Sequence, residues 1–186
     1  MRIIGGNLRG KKIKYLSSAI TRPLRDFVKE SIFNIIKHSS LINVSIENSN
    51  VLDLYAGVGS FGIECISRGA KKTTFVENDN KALVVLKKNL NHLKIDQKSE
   101  VFSTKIISFL NRSKKGEYEI IFFDPPFAEN FFIKELKLLK NIGICRENHI
   151  IVIHRDGKSM DSLKGLLNII VTKKYGRSKI IFANLG

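Results

Sequence analysis

Beyond residue 50, apolar residues fall in short runs of strand length that alternate with stretches whose apolar positions recur every three or four residues. Residues 51–55, 73–77, 118–123 and 149–154 read as strands, with 101–103 as a weaker one. Residues 60–68, 80–93, 106–111, 131–140 and 160–167 read as the helices between them. Strands alternating with helices predict a parallel sheet covered on both faces. The end of the chain breaks this rhythm. Residues 169–174 and 179–183 are both strand-like, and only Tyr175-Gly176-Arg177-Ser178 separates them. That is too short for a parallel crossover, so the two form an antiparallel hairpin. The expected fold is therefore α/β, a doubly wound and mostly parallel seven-stranded sheet that ends in an antiparallel hairpin.

Ahead of this block, Arg2-Ile3-Ile4 and Lys11-Lys12-Ile13-Lys14 flank Gly5-Gly6, so residues 1–15 predict a short basic hairpin. Pro23 suits the first turn of a helix, on which Val28, Ile32, Ile35 and Ile36 share a face. Residues 39–49 are polar and rich in Ser and Asn, and read as a loop. Two regions are expected: a basic appendage over 1–45 and the α/β domain over 46–186.

Composition narrows the class. A length of 186 residues fits one domain with at most a small appendage. No apolar run reaches the ~18 residues of a membrane span, and the N-terminus lacks a signal-like apolar stretch. Cys65 and Cys145 cannot form a disulfide framework, so reduced thiols in a cytoplasmic protein are expected. The four histidines show no ligand spacing with the cysteines, and no metal site is expected. Lys and Arg number 32 against 17 Asp and Glu, a net charge of +15. Such a surplus favours a polyanionic partner through counterion release. Arg2, Arg9, Lys11, Lys12, Arg22, Arg25 and Lys29 concentrate it in the first 30 residues, where phosphate contacts with RNA are expected.

Two motifs carry chemistry. Gly57, Gly59 and Gly62 satisfy G-x-G-x-x-G between a predicted strand and helix, and Glu77 ends the next strand. The pattern serves dinucleotides and S-adenosylmethionine alike. Asp53 separates them: at the end of the first strand its carboxylate is expected to point into the ligand crevice, where it would repel a pyrophosphate. S-adenosylmethionine has no phosphate and two positive centres, which suits an adjacent anion. Glu77 is expected to accept from both ribose hydroxyls, with Ala56, Gly57, Gly59, Gly62 and Asn78 around the cofactor.

The second motif is Asp124-Pro125-Pro126-Phe127, directly after the 118–123 strand. The prolines lack N–H donors and have fixed φ, so carbonyls at this strand end are held as rigid acceptors. Asp124 adds a carboxylate and Phe127 a flat apolar face. Together they match an exocyclic amine whose lone pair is delocalised into a base. Acceptors at Asp124 and the Pro125 carbonyl would grip its two hydrogens and turn the lone pair toward a methyl carbon. The base must be unpaired or flipped, and Phe127 would stack on it.

These residues resemble the (Asp/Asn)-Pro-Pro-(Tyr/Phe) amino-methyltransferases, and a parallel sheet closed by an antiparallel hairpin resembles the Rossmann-like class I methyltransferases. More specifically, Arg2-Ile3-Ile4-Gly5-Gly6, Arg9-Gly10, Thr21-Arg22-Pro23, Glu30-Ser31-Ile32-Phe33-Asn34, Asp53-Leu54-Tyr55-Ala56-Gly57-Val58-Gly59 and Ser67-Arg68-Gly69-Ala70 resemble the RsmD family over nearly the whole chain. The resemblance implies S-adenosylmethionine-dependent methylation of N2 of a guanine in bacterial 16S ribosomal RNA, within the 30S subunit or an assembly intermediate, by a monomer. Two stretches depart from the family pattern. Leu24-Arg25-Asp26-Phe27-Val28 stands where the family has small polar residues and then Asp-Arg-Val, which alters the helix start and its RNA contacts. Ser103-Thr104-Lys105 stands where the family offers Asn or Asp to the adenine, and Thr104 is the expected substitute.

Other readings share parts of the pattern. An N6-adenine or tRNA amino-methyltransferase would use the same catalytic motif. A non-catalytic RNA-binding assembly factor could retain the fold, although the intact set of Asp53, Gly57, Gly59, Glu77 and Asp124 speaks against it. A dehydrogenase is disfavoured by Asp53, by residues 124–127 and by the terminal hairpin.

Overall fold

Seven strands form one sheet in the order β3-β2-β1-β4-β5-β7-β6. The computed structural model describes residues 1–16, 24, 26–126 and 131–186. Its strands are β1 (Asn50–Leu54), β2 (Lys72–Glu77), β3 (Ser99–Ser103), β4 (Tyr118–Phe123), β5 (Cys145–Asp156), β6 (Asn168–Tyr175) and β7 (Ser178–Asn184). The helices are α1 (Asp26–His38), α2 (Ser60–Ser67), α3 (Asn80–Leu93), α4 (Ile106–Leu110) and α5 (Phe132–Ile142). Strands β1 to β5 are parallel to their neighbours, while β7 runs antiparallel to β5 and β6 to β7. The C-terminal hairpin and the parallel sheet both form as the sequence predicts. Among the described residues no helix is long and apolar enough to cross a membrane.

Period-two alternation sorts the central strands onto two cores. Val51, Ile120, Phe122, Ile150, Val152, Ile180 and Phe182 pack with Ile32, Phe33 and Ile36 of α1 and Phe61 of α2. Leu52, Leu54, Ile121, Phe123, Ile151 and Ile153 pack on the other face with Phe109 of α4 and Phe132, Leu136 and Leu139 of α5. Both faces are thus apolar, which is why these strands read as continuous hydrophobic runs.

One predicted element is absent. Residues 160–167 form no helix: 164–166 make a turn and the rest is irregular. Gly165 adopts φ +76, left-handed backbone that an α-helix does not accommodate. The amides of Leu166 and Leu167 both return to the Leu163 carbonyl instead. Leu163 and Leu167 still reach the α5-side core, so their apolar spacing reflects burial without helicity. Pro23 lies outside the described residues.

The N-terminal hairpin forms, with an antiparallel bridge between Arg2 and Lys12. It is docked on α2 and α3. Ile3 and Ile13 are buried against Ile63 and Ile66 of α2 and Leu90 of α3. Beneath it, buried Glu64 of α2 accepts the amides of Ile4 at 2.9 Å and Gly5 at 2.7 Å. The same carboxylate meets Lys29 Nζ at 3.4 Å and Arg68 Nε at 2.9 Å. A Cβ at Gly6 would collide with the Ser67 backbone carbonyl, so only glycine lets the hairpin sit this close.

Candidate active site

In an open α/β sheet the ligand crevice lies outside the carboxyl ends of the strands where the order reverses. Here that point is between β1 and β4. The ends of β1, β2 and β3 bring together the loop after Leu54, Glu77 and Thr104, whose amide bonds the Glu77 carbonyl at 3.1 Å. Glu77 is half-buried, while Asn78 is exposed beside it.

Two carboxylates, Asp53 and Glu77, hold the backbone of the glycine loop and the start of α2. Asp53 is 1% exposed, and its Oδ2 accepts the Gly62 amide at 2.9 Å in the first turn of α2. It therefore lies under the glycine loop and caps α2, and does not line the crevice as the sequence suggested. Burial, and then the charges of Asp124 and Glu77, push its carboxyl well above the usual carboxylate range, against the lowering effect of the Gly62 bond. Glu77 Oε2 accepts the Gly57 amide at 2.7 Å, and its Oε1 accepts those of Asn78 and Asp79 at 2.8 Å. A carboxylate oxygen has more than one lone pair, so Glu77 retains acceptor capacity for a ligand diol.

The glycines have separate reasons. A Cβ on Gly57 would meet nothing within 4 Å, so the loop is open there; its φ of +56 sets the turn. Gly59 would place a Cβ 2.5 Å from Leu86 Cδ1, and Gly62 one 2.7 Å from Thr73 Cγ2. Those two permit close packing of the loop and helix on their neighbours. A dinucleotide pyrophosphate binds loop and helix N-terminal amides. Here the Gly57 and Gly62 amides are already taken by carboxylates, an arrangement that suits a ligand with a diol and no phosphate.

Asp124 directly follows β4, its side chain 28% exposed, and its amide bonds the Leu54 carbonyl of β1 at 3.4 Å. Pro125 is buried and Pro126 exposed; Phe127 lies outside the described residues. Two partners that sequence reasoning did not single out, His154 and Arg155, hold this turn. His154 Nδ1 lies 2.8 Å from Asp124 Oδ1, and His154 Nε2 lies 3.0 Å from Ser178 Oγ. Arg155, 1% exposed, donates to the Pro126 carbonyl at 3.1 Å, forks onto Asp161 at 3.0 and 3.1 Å and stacks 4.5 Å over Phe132. On the loop side, Tyr55 has φ 59 and donates to Glu135 of α5 at 2.6 Å. The signal for His154 and Arg155 was present in the sequence: two polar side chains directly follow the apolar run 150–153 of a central strand.

The basic N-terminal residues divide. Arg9, Lys11 and Lys12 are exposed on the hairpin. Arg2 is 68% exposed and pairs with Asp26 at 2.9 Å. Arg22 and Arg25 lie outside the described residues. Lys29 corrects the expectation: it is fully buried, bonds the Arg2 carbonyl at 2.8 Å and pairs with Glu64, so no phosphate can reach it. The clue lay in the helical wheel. At about 100° per residue, Lys29 falls inside the arc spanned by Val28, Ile32, Phe33 and Ile36. Cys65 is buried and its thiol is raised well above the usual range by burial, while burial takes Cys145 up to about 12. Neither is a ready nucleophile.

Fold and site together define a class I methyltransferase fold, with a carboxylate-capped glycine loop and an Asp-Pro-Pro turn on adjacent strands. The profile of the family described as "Conserved hypothetical protein 95" matches residues 1–184, and the chain belongs to that family, the RsmD type. A relative named "Ribosomal RNA small subunit methyltransferase D" in Buchnera aphidicola subsp. Acyrthosiphon pisum is 35% identical over 173 residues, 93% of this chain and 83% of the relative. One of the same name in Haemophilus influenzae is 36% identical over 158 residues, 84% of this chain and 79% of the relative. The solved structure of yhhF from Escherichia coli superposes with a TM-score of 0.84 at 28% identity, covering 100% of this chain and 97% of that one.

Proposed function

We propose that this chain transfers a methyl group from S-adenosylmethionine to the exocyclic N2 amine of a guanine in 16S ribosomal RNA, within the 30S subunit or an assembly intermediate. The observation that carries the reading is Asp124. It stands at the switch point beside the glycine loop, with one carboxylate oxygen tied to His154 and no partner for Oδ2 among the described residues. The relatives named above as small-subunit RNA methyltransferases support the substrate class.

S-adenosylmethionine would lie between the open Gly57 turn and Glu77, with the ribose on Glu77 and the adenine toward Thr104. When bound it supplies an electrophilic methyl carbon on a sulfonium. The protein's task is then positioning and charge placement. Asp124 Oδ2 and the Pro125 carbonyl accept the two amine hydrogens and hold the nitrogen lone pair toward the methyl carbon. Once the nitrogen is methylated it is cationic, and Asp124 stabilises that charge until a proton leaves. Arg155 keeps the turn rigid through the Pro126 carbonyl. In this reading Phe127 stacks on the base, while Arg2, Arg9, Lys11 and Lys12, joined by Arg22 and Arg25, contact phosphates.

The test is methyl transfer to 30S particles carrying unmethylated 16S RNA, with the product nucleoside identified. Asp124→Ala is expected to lower turnover on the order of 10²–10³-fold, with cofactor binding little changed. Near-normal turnover would refute the mechanism. A product methylated on carbon, ribose oxygen or a ring nitrogen would refute the target atom.

A further inference from the structure

Asp124 directly after β4, His154 in β5 and Ser178 in β7 come from three neighbouring strand positions, and alternation places all three on one face. Asp124 continues the Ile120 and Phe122 side of β4, His154 the Ile150 and Val152 side of β5, and Ser178 the Ile180 and Phe182 side of β7. Phe122 is in register with Val152, so two residues further on Asp124 and His154 face each other. The His154 side chain is 5% exposed and bridges the other two. An ionised carboxylate can only accept, so in the neutral ring Nδ1 carries the proton. Nε2 is then an acceptor, satisfied by the Ser178 hydroxyl.

We propose that His154, oriented by Ser178, is the positioning residue for Asp124, a role that rests on Asp124 being the acceptor for the target amine. The terminal torsion of an aspartate is broad and nearly two-fold. Left alone, the half-exposed carboxylate would sample orientations in which neither oxygen meets the amine. The imidazole occupies Oδ1, which fixes the plane of the carboxylate and leaves Oδ2 for the substrate. Ser178 removes the same freedom from the ring one step back. The reaction is unchanged, and no proton need pass through the imidazole. What His154 supplies is alignment, and a displacement of about 1 Å at a reacting group lowers rates on the order of 10²-fold.

The experiment separates kcat from KM in methyl transfer to 30S particles with unmethylated 16S RNA. His154→Leu is expected to lower kcat on the order of 10²-fold, with KM for the particle and cofactor affinity unchanged. His154→Asn keeps an N–H near the Nδ1 position and is expected to recover most of the loss; His154→Gln, which reaches toward Ser178, is not. Ser178→Ala is expected to fall in between. In an Asp124→Ala background His154→Leu should cause no further loss, because both act through one carboxylate. A normal kcat in His154→Leu, an Asn variant as impaired as the Leu variant, or losses that multiply in the double variant would overturn the proposal. Should His154→Leu fail to fold, His154→Asn against His154→Gln and Ser178→Ala still decide it. If Asp124→Ala alone turns over normally, the reading of Asp124 fails and the alignment role falls with it; an impaired Asp124→Ala beside a normal His154→Leu overturns the alignment role alone.

Discussion

Glu64→Gln tests whether the N-terminal hairpin is held by a buried charge cluster. Both Glu64 and Lys29 side chains are 0% exposed. Glu64 Oε1 serves Gly5 and Arg68, while Oε2 serves Ile4 and faces Lys29. A glutamine has one acceptor and one donor group, so whichever way it turns, its –NH2 confronts two donors. In either orientation Lys29 loses its buried counter-charge, and it keeps the bond to the Arg2 carbonyl. Breaking a buried pair from one side costs about 3–5 kcal/mol. At about 2–4 °C per kcal/mol for a domain of this size, Tm should fall by roughly 6–20 °C. The sign of the pH dependence follows from Lys29. Burial already lowers its pKa while Glu64 opposes that effect, and removing Glu64 lowers it further. The unfolded chain then binds more protons, so stability rises with pH and the deficit shrinks. Thermal unfolding gives the magnitude, and amide exchange at Ile4 and Gly5 gives the location. A Tm within about 2 °C of wild type, with both amides still protected, would refute the reasoning.

Asp53→Asn keeps an oxygen to accept the Gly62 amide and removes a buried carboxyl whose pKa is raised in the fold. Wild type loses stability as pH rises from about 4 through that raised value, so the Asn variant should gain Tm over wild type across that window; a constant difference would contradict the assignment. Asp161 behaves oppositely: burial would raise its pKa, but hydrogen bonds from Arg155 and Ser159 and the charges of Arg155 and Lys179 outweigh it and lower it. Its contribution is complete above about pH 4 and is lost as pH falls through the lowered value. Asp161→Asn should therefore be less stable at neutral pH and flatter on the acid side, and parallel curves below pH 4 would count against it. Changing Arg9, Lys11 and Lys12 to Ala should reduce the salt slope of RNA affinity by about 0.7–0.9 for each phosphate no longer neutralised, with cofactor affinity unchanged; an unaltered slope means that this face is merely solvated.

The parts legible in the sequence were those where backbone and chemistry coincide. The glycine loop, Glu77, the Asp124 turn and the terminal hairpin each carry a local signature, and all fall where the order of strands implies. What escaped depends on residues distant in the chain. Asp53 reads as a ligand-facing carboxylate until its bond to Gly62 is seen, since strand position alone does not say which way a side chain at the strand end turns. Lys29 reads as surface charge because its counter-ion, Glu64, lies on another helix. Residues 160–167 have helical spacing, yet Gly165 with its positive φ decides the backbone. His154 and Ser178 are 24 residues apart and meet only because β7 returns antiparallel to β5.

The docking of the hairpin on α2 also constrains how the chain is made. Gly5 and its acceptor Glu64 are 59 residues apart, and Lys14 and Asn89 are 75 apart. At about 5–20 residues per second on the ribosome, Gly5 waits roughly 3–12 s for Glu64 to be synthesised, and Lys14 waits longer for Asn89. The hairpin is therefore secured only when residues up to Asn89 have been made, and Ile3 and Ile13 stay solvated until the α2–α3 surface exists to cover them. For that interval residues 1–14 are an exposed cationic stretch, and a hold by chaperones or by the ribosomal surface would act on it before its own docking does.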